Sequence, residues 1–232
     1  MEQLLEKVKA YDFGQSRASL TELEDVIRKA YGDQAEMGKC EAALAGVLES
    51  DAKYAGKQWV CRQLSIIGTA ACVPALAKML TNDELADMAR YALERIPGRE
   101  SGMALRDALG KTSGKTRIGI INTIGERGYE RSAESLVEFL GSSDKATACA
   151  AAAALGKVGG ANAAAALKAA KDKADGDLKA AILDAYLQCA DKMATAGEKD
   201  AAMAIYTELG GADNPKLIQQ AALRGRVNLL KK

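Results

Sequence analysis

Apolar positions fall at helical spacing almost everywhere along the chain. Leu76, Leu80, Leu85, Ala89, Ala92, Leu93 and Ile96 keep the i, i+3, i+4 rhythm that gathers apolar side chains on one side of a helix. The period-two alternation that marks a half-buried strand is absent, so the pattern predicts helices throughout. Helix ends are marked in the same stretches. Asn214-Pro215 reads as an N-cap followed by proline at the first helical position, where its missing N–H is no loss. Thr81-Asn82-Asp83-Glu84 has the spacing of a capping box. Gly68, Gly110, Gly125, Gly141, Gly156 and Gly210 are expected to close helices as left-handed caps.

The helical pattern is also self-similar, which is the mark of stacked supersecondary units. Ala92-Leu93-Glu94-Arg95-Ile96-Pro97-Gly98 aligns with Thr123-Ile124-Gly125-Glu126-Arg127-Gly128 and with Ala154-Leu155-Gly156-Lys157-Val158-Gly159. The anchors Leu93, Ile124, Leu155 and Tyr186 follow one another at 31-residue steps. In the preceding helices Leu105, Leu136 and Leu167 keep the same step. Two short helices per repeat, joined by tight turns, cannot bury their apolar faces alone and must stack on their neighbours. The resulting hairpins are expected at 1–32, 33–70, 71–98, 99–128, 129–160, 161–193 and 194–232, as one domain with no interrupting linker.

An A-L-G-x-V-G run near the end of one helix, followed by L-x-x-x-L in the next, resembles HEAT-like repeats, and among them the bacterial phycobilisome-lyase type. Residues 71–160 carry the resemblance most clearly. The arginine usual in the second helix stands only at Arg117, with Lys179 at the matching place and Val60, Ala86 and Ala148 at the others. The resemblance implies an all-α fold, a right-handed α-α superhelix (solenoid) of about seven helical hairpins. It implies function only weakly, because such repeats serve many tasks.

Composition narrows the chemistry. The chain has 32 basic and 31 acidic residues, a net charge of +1, so no global field draws it to nucleic acid or to an anionic membrane. It contains no histidine, which removes histidine general bases and histidine metal ligands. Alanine makes up about a fifth of the sequence and aromatics only 4%, a balance that suits close helix stacking. The five cysteines are widely spaced and form no C-x-x-C pair, so they read as buried free thiols in a reducing compartment. The amino terminus shows no signal-peptide core, and no run is long enough to span a bilayer. The expectation is a cytoplasmic, monomeric protein without cofactor or metal; an excised domain of a secreted or periplasmic protein would read the same way.

Three segments invite a chemical reading. Gly110-Lys111-Thr112-Ser113-Gly114-Lys115-Thr116 is close to a phosphate-binding loop, but its first glycine is one residue too near and no strand precedes it. It reads as the turn between two helices. Asp172-Lys173-Ala174-Asp175-Gly176-Asp177 lacks the glutamate a calcium loop needs at its twelfth position, which is Leu183. The basic stretch 223–232 reads as a polar terminal cap. The one concentration of aromatics and arginines comprises Tyr54, Trp59, Arg62, Arg90, Tyr91, Arg95 and Arg99, residue types favoured at binding hot spots. Trp59 aligns with leucines of other repeats and is expected in the core. If second helices line the concave face, Arg90, Tyr91, Arg117 and Asn122 come from successive layers and form the expected binding site. The leading reading is a non-catalytic scaffold that binds a partner protein there, without nucleic acid or membrane. The rivals are a repeat module of a larger, secreted carbohydrate-active protein and a bilin-lyase-like enzyme subunit. More distant HEAT-like relatives include alkylpurine DNA glycosylases, which would need a basic, aromatic-lined face.

Overall fold

The computed structural model describes residues 1–231. Among these the chain is all-α, with fourteen α-helices, three short 3-10 turns and no strand. It divides into two compact units, Met1–Thr112 and Ser113–Lys232.

The first unit holds α1 (Glu2–Ala10), α2 (Ala18–Lys29), α3 (Gln34–Leu48), α4 (Tyr54–Ile67), α5 (Val73–Met79), α6 (Ala86–Arg95) and α7 (Arg99–Leu109). Each odd-numbered helix up to α5 packs on the even-numbered helix that follows it. Helices α1, α3, α5 and α7 also touch in sequence and form one row, and α4 packs along α6 in the other. The second unit holds α8 (Gly114–Arg127), α9 (Ala133–Val137), α10 (Lys145–Val158), α11 (Gly160–Lys171), α12 (Gly176–Ala196), α13 (Lys199–Leu209) and α14 (Lys216–Leu230). Its second helices α8, α10, α12 and α14 run side by side, with α9, α11 and α13 laid against them. Each unit is thus a short solenoid stack of helical hairpins.

The cores follow the repeat. Leu93, Ile124, Leu155 and Tyr186 are all buried, as are Leu105, Leu136 and Leu167. Burial of one such leucine contributes about 2–3 kcal/mol, against less than about 1 kcal/mol for an alanine methyl. In α10 the buried Ala150, Ala151, Ala152 and Ala154 therefore set how closely helices approach, while Leu155, Leu167, Ile182 and Leu183 supply most of the cohesion.

Several helix ends differ from the sequence reading. None of the six glycines expected as left-handed caps has positive φ. Gly125 and Gly156 lie inside α8 and α10, where the absence of a side chain serves a neighbouring helix. The left-handed caps are instead Gly128 after α8 and Gly197 after α12. Asn82, not Thr81, caps the turn before α6, its Oδ1 accepting from the Glu84 and Leu85 N–H groups at 2.9 and 3.1 Å. Pro215 occupies the N-cap place of α14, and the Asn214 side chain turns back to donate to the Glu208 carbonyl at 3.1 Å. Helix α14 is not the polar cap its lysines and arginines suggested. Leu223, Val227 and Leu230, spaced four and three apart, form an exposed apolar stripe.

A deeply placed carboxylate ties the first unit together. Glu41 on α3 is buried, and its Oε1 accepts from the Thr69 N–H at 2.7 Å and the Cys72 N–H at 3.1 Å. The Thr69 hydroxyl donates to the same carboxylate. These are orphan amides at the amino end of the next hairpin, so an anion there satisfies them and meets the positive end of a helix.

Candidate functional site

Helix α4 carries Tyr54, Gln58, Arg62 and Ile66 at successive four-residue steps, which sets them along one side. Trp59 and Gln63 form a second such pair beside them. This side of α4 faces a groove of about 540 Å3, completed by Arg17 and Glu24 from α2 and its cap, and by Asp87, Met88 and Tyr91 from α6. Every wall of the groove therefore belongs to the second helices of three successive hairpins.

The floor is buried and internally bonded. Trp59 is buried at 5% exposure, and its indole N–H donates to Glu24 Oε1 at 3.1 Å. The same oxygen accepts from Gln63 Nε2 at 3.3 Å. Cys61 is fully buried, and burial pushes its thiol up to about 12, so it stays protonated at neutral pH. The rim is accessible: Ile66 is 69% exposed, and Tyr54 and Tyr91 are more than two-fifths exposed. Phe13 leans on Tyr54 with ring centroids 6.1 Å apart. The Arg95 guanidinium stands 3.9 Å over the Tyr91 ring, a cation–π contact that fixes the ring's direction.

Of the four residues expected to form a binding site, two lie in each unit. Tyr91 lines the groove, while Arg90 is half-buried beside it and donates to Asp87 at 2.8 Å. In the second unit the Arg117 guanidinium lies 5.4 Å from the Phe139 ring. It also helps hold the Asp144 carboxyl below the usual carboxylate range, an effect led by the Thr147 hydroxyl bond. Asn122 is exposed. Five residues along a helix turn about 140°, so Arg117 and Asn122 leave α8 on different sides. Arg17, Glu24, Gln58, Gln63, Ile66 and Met88 were not among the expected residues. For Gln58 and Ile66 the signal was the four-residue spacing from Tyr54 to Ile66, and for Gln63 the same step from Trp59; Arg17, Glu24 and Met88 carried no such signal.

The other flagged segments take structural roles. Residues 110–113 form the turn between α7 and α8, with the Thr112 hydroxyl donating to the Ala108 carbonyl at 2.9 Å and Ser113 at the N-cap. Asp172 pairs with Lys171 at 3.0 Å, and Asp175 precedes α12. Among the described residues no three His, Cys, Asp or Glu side chains are grouped to hold a metal, and no helix is long and apolar enough to cross a membrane.

The paired helices repeat at a fixed step, as in an all-α solenoid, and within the chain residues 103–186 match a model of HEAT repeats. No curated protein sequence matches the chain. Among solved structures it is similar to lipovitellin, studied for its lipid–protein interactions, with a TM-score of 0.63 and 15% identity over 94% of this chain. The chain spans 27% of that lipovitellin chain, and at this identity the likeness is one of fold. Human deoxyhypusine hydroxylase, in complex with glycerol, gives a TM-score of 0.45 at 15% identity, covering 80% of this chain and 96% of that one.

Proposed function

We propose that the protein is a non-catalytic interaction scaffold whose second-helix face in the first unit docks a partner protein. The observation that supports this is the groove itself: one continuous depression built only from second helices, with a bonded floor at Trp59 and exposed aromatic and aliphatic groups on its rim. Accessible aromatic and aliphatic groups gathered over a packed floor, with arginines beside them, are the residue types that concentrate binding energy at protein interfaces. Tyr91 belongs to this surface, and Arg90 supports it by holding Asp87. The five free cysteines, four of them buried, support a reducing compartment.

The test compares proteins captured by the wild-type chain, by Ile66→Asp with Tyr91→Ala, and by Met103→Asp on the exposed side of α7. A partner kept by wild type and by Met103→Asp but lost from the groove variant supports the reading. A capture pattern identical for all three would overturn it.

A further inference from the structure

The groove's charges are unevenly used, and this points to the kind of segment it takes. Its two carboxylates are already occupied: Asp87 accepts from Arg90, and Glu24 accepts from Trp59 and Gln63. Its two guanidinium groups, on Arg17 and Arg62, are exposed and make no ion pair among the described residues. Gln58 offers an amide donor and acceptor on the same wall. Between these polar groups stand the exposed surfaces of Ile66, Tyr54 and Tyr91.

Resting on the docking role proposed above, we infer that the partner segment is an acidic peptide with an apolar anchor. The anchor covers Ile66 and the tyrosine rings, and flanking Asp or Glu side chains pair with Arg17 and Arg62. A guanidinium matches a carboxylate through two parallel N–H···O bonds, and the neighbouring apolar surface limits competition from water. A nucleic-acid strand fits less well. It brings a phosphate at every nucleotide and would set several of them against Glu24 and Asp87, whereas a peptide places carboxylates only where the arginines stand.

The experiment passes a degenerate peptide library of fixed length over the full chain and sequences what is retained. An enriched peptide, its Lys-for-Glu counterpart and an oligothymidylate are then titrated while the emission of Trp59, the only tryptophan, is followed. The expected result is enrichment of Asp and Glu beside an apolar residue. Arg17→Glu with Arg62→Glu should weaken the acidic peptide on the order of tenfold or more. Circular dichroism melting checks that this double variant, altered only at exposed positions, remains folded. Retained peptides with no acidic preference that are still lost by Ile66→Asp would overturn the inference and leave the docking surface standing. Tighter binding of the oligonucleotide than of the acidic peptide would also overturn the inference. If the wild-type chain retains no peptide, both the inference and the docking surface fall.

Discussion

Gly125 on α8 lies against Ala154 on α10, so closely that a methyl group at Gly125 would stand 2.8 Å from the Ala154 Cα. One repeat later Gly156 lies against Ala185 on α12 at the same 2.8 Å. Both members of the contact advance by 31 residues, so the glycine–alanine seam is a repeated device and not a local accident. It explains why these glycines sit inside helices that alanine would favour. Backbone of one second helix needs the space that a side chain on the next would fill.

Substitution here sets two effects of opposite sign against each other. Gly→Ala inside a helix is worth roughly 1 kcal/mol of stabilisation from propensity. Overpacking a close helix contact costs about 1–3 kcal/mol. Because the obstructing atoms at Gly125 include the Ala154 backbone, which cannot rotate away, overpacking wins and Gly125→Ala and Gly156→Ala should destabilise. Gly38 and Gly46 in α3 meet nothing within 4 Å, so Gly38→Ala and Gly46→Ala should stabilise by about 0.5–1 kcal/mol. Urea unfolding of the four single variants checks the signs. Stabilisation by Gly125→Ala would show that the seam is not close-packed.

The repeat step made the helical pairs legible, because buried leucines at a fixed interval leave few other arrangements. The glycines misled for a physical reason. A helix-ending cap and a close helix crossing both select glycine, and one strand of sequence does not show which helix lies opposite. The groove was half legible. Tyr54, Trp59, Arg62 and Tyr91 stood out as residue types, but Glu24 became part of it only through its bonds to Trp59 and Gln63, from 35 and 39 residues away. Arg117 also stood out as a residue type, but its place 5.4 Å from the Phe139 ring was not legible in the sequence.

Thiol chemistry reports the packing directly. Cys40, Cys61, Cys72 and Cys189 are buried, and Cys149 alone is half-buried. Burial pushes Cys61, Cys72 and Cys189 up to about 12, so access and thiolate population both protect them. Titration with a disulfide reagent at neutral pH should find one fast thiol, lost in Cys149→Ser, and all five after denaturation. Two or more fast thiols in the native state would mean that the hairpins open on the timescale of the reaction.

Glu41 should be worth more than its single position suggests. Glu41→Ala strands the Thr69 and Cys72 amides in a buried place, at about 2–4 kcal/mol. Glu41→Gln keeps one oxygen for those amides and an amide group the Thr69 hydroxyl can accept from, so its cost should be closer to about 1 kcal/mol. Denaturant midpoints at neutral pH separate the two variants. Equal costs would show that negative charge, and not the bonded oxygen, is what the turn requires.

Glu208 gives the second unit an acid-sensitive joint. Burial pushes its carboxyl up, but bonds from Lys168 at 2.9 Å, Lys171 at 3.3 Å and the Tyr186 hydroxyl at 3.1 Å outweigh it. The folded-state value therefore lies below that of a free glutamate carboxyl. A depressed value means that the native state favours the charged form. The stabilisation is present in full above the unfolded value and is lost as pH falls through the folded one. Comparison of wild type with Glu208→Gln should show a difference of about 1 kcal/mol at neutral pH, modest because Lys168 remains largely in solvent. That difference should hold down to the unfolded carboxyl range and then shrink under further acidification. Melting temperatures measured for both proteins across that range test it. A gap that stays constant into strong acid would mean that Glu208 acts through shape alone and that its lysine contacts do not persist in solution.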